Sequence, residues 1–234
     1  MFFEIVRIAK YHNPEVLFLE NVKHFIKHDS GKTLESVLNT LNDIGYKCFY
    51  SVLNASHYGV PQSRERFYLV GFRNDLDIKT FQFPKPFYKQ VQLKDFLEKN
   101  GHTANYAINR SDVKFFDDSP RLKKDIFGNF PMKPIQIGII NKGGQGERIY
   151  SVEGHAITLS SQGGGVASKT GAYKINEMIR RLTPNECLAV MGFPKTFKIP
   201  VSDGQSYRLL GNSVVVPVIE AIYKEILKEL ATKI

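Results

Sequence analysis

Thiols are scarce in this sequence: Cys48 and Cys187 are the only cysteines, in dissimilar contexts and without metal-ligand spacing. Neither a disulfide framework nor a zinc site is expected, and both side chains read as buried, reduced thiols. No apolar run approaches the ~18 residues of a membrane span, and Met1-Phe2-Phe3-Glu4 lacks the basic-then-apolar order of a secretory signal. The expectation is a cytoplasmic protein with no membrane partner. Phosphate-binding loops are missing too. Ser30-Gly31-Lys32-Thr33 looks like the end of one, but Ile26 stands where that loop requires glycine, so Gly31 reads as a turn before a helix. Gly143-Gly144-Gln145-Gly146 is no dinucleotide fingerprint, because no strand-to-helix switch surrounds it.

What the sequence does hold is enough apolar material for a core: 42% of its 234 residues are hydrophobic, which suits one or two domains. Lys and Arg number 32 against 23 acidic residues, giving a net charge of +9 and a pI near 9.4. A surplus of that size favours a polyanionic partner such as nucleic acid, although a solvated basic surface has the same composition.

Phe2, Ile5, Val6 and Ala9 fall at i, i+3, i+4 and i+7, an amphipathic helix that should stop before Asn13-Pro14. Residues 16–19 form a short apolar run suited to a buried strand. Leu34, Val37, Leu38, Leu41 and Ile44 repeat the helical stripe with Gly45 as its stop, and residues 48–53 and 67–72 predict two further strands. Helix alternating with strand predicts an α/β fold around a mostly parallel, two-sided sheet. The pattern reads as starting in mid-fold, without the Gly-rich first turn of a nucleotide-binding sheet, so the sheet is expected to be incomplete. From about Phe81 the texture changes to prolines, scattered charge and glycine-rich stretches, which predicts a second, smaller domain of short strands and long loops. Helical patterning returns near Thr183-Pro184, and Ile219, Ile222, Tyr223, Ile226 and Leu230 line one side of a closing helix. The expected boundaries are residues 1–95 with 212–234 for the α/β part, 96–183 for the smaller domain, and 184–211 for a hinge segment.

Glu20-Asn21-Val22 directly follows the first predicted strand, which sets a carboxylate at the strand's C-terminal mouth, where ligands of open α/β sheets bind. Pro61-Gln62-Ser63-Arg64-Glu65-Arg66 leads into the third strand with arginines at i and i+2, on one face of an extended chain. Taken singly, these read as a capping or surface glutamate and a charged strand edge. Other blocks follow: Arg181-Leu182-Thr183-Pro184 with Glu186-Cys187, then Met191-Gly192-Phe193-Pro194, then Gly211-Asn212-Ser213-Val214. Together they fall in the order and spacing of the later blocks of DNA cytosine-5 methyltransferases, and the chain resembles the C-terminal portion of that family over essentially its whole length. Residues 142–150, and Thr158-Leu159-Ser160 before Gly163-Gly164-Gly165, resemble the recognition loops of the HhaI-type subgroup, which acts on GCGC. Gln162 departs from that subgroup, which has an aromatic residue there.

The resemblance implies transfer of a methyl group from S-adenosyl-L-methionine to carbon 5 of a cytosine flipped out of double-stranded DNA, within a restriction-modification system. It implies that Glu20 holds the base at N3 and its exocyclic amine, and that Arg64 and Arg66 hold O2, a nearby phosphate and the site geometry. Asn212, Ser213 and Val214 would border the methyl donor. Gln145 would fill the space the base leaves and Arg148 would read a guanine. Thr158, Ser160, Gly163, Gly164 and Gly165 would line the DNA interface, where glycine permits close backbone approach. The family's thiolate nucleophile lies in a Pro-Cys segment upstream of the glutamate block, and its main donor site in a Gly-rich loop further upstream; neither is in this sequence. Cys48 and Cys187, in other contexts, do not replace the thiolate. The expectation is an incomplete Rossmann-like methyltransferase sheet plus a small, mainly β target-recognition domain, inactive without a complementary N-terminal methyltransferase polypeptide. Two other readings stand beside it: a DNA-binding module without catalysis, and an inactive gene remnant.

Overall fold

A computed structural model describes residues 1–99, 103–117 and 122–232. The chain divides into two compact units, one of Met1–Asn54, Glu65–Lys85 and Glu220–Ile234, the other of Ala55–Arg64 and Pro86–Ile219.

The first unit begins with a helix that its own sequence stops. Helix α1 (Phe2–His12) ends at Asn13, which adopts the left-handed conformation at φ 44° and donates its N–H to Ala9 O at 2.8 Å, just before Pro14. Gly31, at φ +92°, makes the turn into α2 (Lys32–Asp43), as expected. Ala9 of α1 and Leu34, Val37 and Leu41 of α2 pack with Leu17, Tyr46, Phe67 and Leu69 into the unit's core. Phe3, Ile8 and Tyr11 of α1 stay exposed.

The sheet beneath these helices differs from expectation. Strands β1 (Val16–Val22), β2 (Tyr46–Asn54) and β3 (Glu65–Arg73) lie in the order β1-β3-β2, and both pairings are antiparallel. The physical reason lies in the connections. Helix α2 carries the chain from β1 to β2, so those two strands run the same way, as the helix-strand alternation implies. Only the short segment Ala55–Arg64 joins β2 to β3, which suits a reversal, and β3 enters between the other two. Strand β1 also runs further than its apolar stretch: Glu20, Asn21 and Val22 do not follow the strand but pair with Tyr68, Phe67 and Arg66 of β3.

The second unit holds five short strands, β4 (Val113–Phe115), β5 (Gln136–Ile140), β6 (Arg148–Ser151), β7 (Ala172–Ile175) and β8 (Met178–Arg180), in sequential order. Their pairings are antiparallel except β6 with β7, which are parallel. Ile135, Ile137, Ile140, Ile149, Ala167 and Ala172 form the core here. Thr183 caps α3 (Pro184–Val190): its Oγ1 accepts from Glu186 N at 3.1 Å, and the Glu186 carboxylate accepts from Thr183 N at 2.9 Å. That same carboxylate is fully buried and takes two hydrogen bonds from Arg180, each 2.7 Å, plus one from Glu98 N at 3.0 Å. The fork-to-fork geometry offsets the desolvation of both charges. Helix α4 (Asp203–Asn212) has no counterpart in the sequence reading, and α5 (Val216–Ala231) starts in this unit and from Glu220 belongs to the first, with Val218, Ile222 and Ile226 buried and Tyr223 exposed. Among the described residues no helix is long and apolar enough to cross a membrane.

His155 is completely buried in the second unit with one ring nitrogen, Nε2, 3.1 Å from Val91 O. A carbonyl only accepts, so Nε2 carries the proton of a neutral ring. Burial pushes the imidazole down from its usual value near 6.5 to about 4. As pH falls below 6.5, the unfolded chain takes up a proton that the folded chain refuses until about pH 4. The stability His155 contributes is therefore whole above pH 6.5 and is lost progressively down to about pH 4, by up to about 3 kcal/mol. Urea unfolding at pH 7 and pH 4.5 should show the native chain losing more stability than His155→Gln across that interval; equal losses would contradict the assignment.

Candidate active site

The period-two alternation of the first sheet decides which side chains can meet. Glu20 lies opposite Tyr68, and Val22 opposite Arg66, so Glu20 and Arg66 are diagonal neighbours on one face. Phe67 and Leu69 point the other way, into the core under α1 and α2. Arg66 Nε stands 3.0 Å from Glu20 Oε1, with the side chains 13% and 26% exposed, and Arg66 Nη1 donates to Glu65 O at 2.9 Å. An ion pair so placed is sheltered on one side and open on the other. The carboxylate is thereby oriented without being sealed from a ligand. Beside β1 lies a hollow of about 530 Å³ whose lining includes Phe2, Leu19, Glu20, Asn21, Phe25 and Leu69.

Arg64 does not share that face. It precedes β3, belongs to the second unit, is 3% exposed, and donates to Leu159 O at 3.0 Å, Gly211 O at 3.0 Å and Ser213 O at 2.7 Å. The i, i+2 spacing suggested one shared face; the strand boundary at Glu65 separates the two arginines instead. Ser213 and Val214 are half-buried and Asn212 is exposed, at the turn between α4 and α5. Gln62 had been legible only as part of a sequence block. It is wholly buried, with Nε2 3.5 Å from Val190 O and 3.3 Å from Met191 Sδ.

The two glycine-rich stretches come together. A Cβ on Gly146 would lie 2.2 Å from Gly164 O, and Ala167 N donates to Gly146 O at 3.1 Å. Between them is a hollow of about 280 Å³ lined by Gly144–Glu147, Gln162–Gly165 and Ser168. Glu147, to which the sequence reading assigns no role of its own, shapes the first loop by accepting from Gly144 N and Asn141 Nδ2, both at 3.0 Å. Gln145 and Arg148 are exposed at the loop, as are Gly163, Gly164 and Gly165 opposite. Thr158 is turned inward: its hydroxyl donates to Ser63 O at 2.6 Å. Ser160 Oγ donates to Gln162 O and accepts from Gln162 N at 3.3 Å, which folds the chain back into the glycine run.

The surroundings of both cysteines disfavour the thiolate form. Cys48 is half-buried rather than buried, and burial pushes its thiol up to about 11. Cys187, fully buried beside Glu186, is also raised. Both are thiols at neutral pH, where attack requires thiolate. Among the described residues no group of His, Cys, Asp and Glu could hold a metal ion.

A family model described as C-5 cytosine-specific DNA methylase matches residues 1–228. Type II methyltransferase M.HhaI of Haemophilus parahaemolyticus is 47% identical over 222 residues, 95% of this chain and 66% of the relative. Type II methyltransferase M.MspI of Moraxella sp is 43% identical over 235 residues, 99% of this chain and 50% of the relative. The chain thus spans between half and two thirds of the length of these relatives. Its fold matches the crystal structure of S. pombe Dnmt2 methyltransferase with a TM-score of 0.67 at 18% identity, covering 98% of this chain and 72% of that one.

The contact between the glycine stretches is testable by size alone. Gly146→Ala forces a methyl group onto Gly164 O and should destabilise the chain by about 1–3 kcal/mol in urea unfolding. Gly164→Ala meets nothing within 4 Å and should change stability by less than about 0.5 kcal/mol. Equal tolerance of the two substitutions would mean that the loops do not interlock.

Proposed function

Because the chain belongs to the C-5 cytosine-specific DNA methylase family, we propose that it is the base-holding and target-reading part of a DNA cytosine-5 methyltransferase, acting on a GCGC-like site in a restriction-modification system. The observation that carries this reading is the Glu20–Arg66 pair, a carboxylate and a guanidinium side by side on a sheet face and still open to a ligand. Cytosine offers a complementary edge. The Glu20 carboxylate accepts from the exocyclic amine and stabilises the charge that develops at N3, while Arg66 keeps N–H donors for O2. A base inside the duplex cannot reach such a pair, so the cytosine leaves the stack. Gln145, exposed at the loop tip, occupies the vacated space, and Arg148 reads a guanine through its forked donors. Gly163, Gly164 and Gly165 let the backbone come close to the duplex, with Thr158 and Ser160 shaping that loop from within.

S-adenosyl-L-methionine supplies the electrophilic methyl group when bound. The Asn212–Val214 turn suits one border of its site: the Asn212 amide is exposed, the Ser213 backbone is held by Arg64, and neutral amide and hydroxyl groups match the polar ends of the donor. The thiolate that attacks carbon 6 comes from a Pro-Cys segment, and the rest of the donor site from a Gly-rich loop. Both belong to a methyltransferase segment N-terminal to the blocks present here, which acts as this chain's partner. The open edge of β1 and the exposed Phe3, Ile8 and Tyr11 of α1 are apolar and unpaired surfaces that such a segment would cover.

The test is labelled methyl transfer to GCGC-containing duplex. The purified chain alone should transfer nothing. Mixed with an N-terminal segment of M.HhaI that ends before its glutamate block, it should become active. In that assembly Glu20→Gln should lower turnover about 100-fold or more, since the amide keeps the shape but loses the charge, with DNA affinity little changed. Robust transfer by the chain alone, or full turnover by Glu20→Gln, would refute the reading.

A further inference from the structure

The segment Pro61-Gln62-Ser63-Arg64 is bonded along its length to two other parts of the second unit. On one side it runs parallel to the chain before the recognition glycines. Ala156 N donates to Pro61 O at 2.6 Å, Ser63 N to Ala156 O at 3.0 Å, and Thr158 Oγ1 to Ser63 O at 2.6 Å, with Gln62 and Ala156 bridged in register. On the other side Arg64 Nη2 reaches both Gly211 O and Ser213 O, while Nη1 of the same planar group holds Leu159 O. The two sides also touch directly: a Cβ on Gly211 would lie 2.1 Å from Ser161 N and 2.4 Å from Ser160 C.

A guanidinium is rigid, and its nitrogens cannot move independently. If the Leu159 carbonyl shifts when the following loop engages a duplex, the group that holds it also holds the carbonyls at 211 and 213. The turn carrying Asn212, Ser213 and Val214 must adjust or lose hydrogen bonds inside a buried site, where an unanswered charge is expensive. Gln62 fixes the splint from behind through Val190 and Met191.

We propose that Arg64 is a positioning residue that links the loop of Thr158 to Gly165 with the Asn212–Val214 turn, so that DNA engagement and methyl-donor engagement strengthen one another through one guanidinium. This rests on the functional reading above, in which the loop meets DNA and the turn borders the donor. Linkage of this kind is reciprocal and appears as a change in the affinity of one ligand when the other is present.

The experiment uses the chain assembled with the N-terminal segment described above. Calorimetry gives the affinity for S-adenosyl-L-methionine without DNA and with saturating GCGC duplex. The native assembly should bind the donor at least about fivefold more tightly with the duplex present. Arg64→Lys, whose single ammonium cannot hold three carbonyls in one plane, should reduce that ratio to below twofold. Thr158→Val keeps the shape and removes only the bond to Ser63 O, so it should lower the ratio in the same direction and by less. A thermal melt of each variant identifies loss of folding, and if Arg64→Lys unfolds, Thr158→Val decides. A native ratio near one, or a ratio unchanged in the folded variants, would overturn the proposal. An assembly that binds neither ligand would instead refute the functional reading itself.

Discussion

A guanidinium withdrawn from water must be answered by acceptors, and the site of this protein is arranged around one such group. Arg64 is 3% exposed, and the carbonyls of Leu159, Gly211 and Ser213 surround it. Two of the three come from the end of α4, where a helix leaves carbonyls without internal partners and where its dipole favours a cation. The arginine thus caps a helix, and the helix end solvates an arginine. Gly211 makes the arrangement possible, since any side chain there would collide with the Ser160–Ser161 backbone.

From that constraint follows a division of labour within one short run of sequence. Gln62 and Arg64 act inside the second unit, and Arg66, beyond the start of β3, acts inside the first by orienting Glu20. Residues that look like one basic cluster therefore do two jobs. Arg64 is buried among backbone carbonyls, whereas Arg66 and Glu20 keep the partial exposure that the proposed base-holding role requires. The glycine stretches have a similar economy: Glu147 and Ser160 shape the loops, and Gln145 and Arg148 lie exposed at the first of them.

Much of the first unit was legible because its signals are local. Asn13-Pro14 and Gly31 mark helix ends by backbone conformation alone, and the stripes of α1 and α2 contain the residues found buried there, with Phe2, Ile5, Leu38 and Ile44 half-buried. Strand direction was not legible, because alternation of helix and strand says nothing about a strand returned by a ten-residue link. Helix α4 escaped notice since its buried side includes Ser206 and Gly211 beside Tyr207 and Leu210, which breaks the apolar period. The polar tail of β1 hid the strand's true end at Val22. At the site, the identities of Glu20, Arg64 and Arg66 came from resemblance to a family. Which arginine is buried, and that Thr158 faces inward, depend on contacts far apart in sequence that no local pattern encodes.

In the proposed function, Glu20 and Arg66 together receive a cytosine taken out of the duplex. The most direct measurement is a crystal structure of the assembled enzyme on a GCGC duplex. The target cytosine should lie outside the helix, its exocyclic amine within about 3 Å of the Glu20 carboxylate, with Arg66 at its O2 and Gln145 between the neighbouring bases. A cytosine still stacked in the duplex, or one extruded with Glu20 and Arg66 turned away from it, would contradict it.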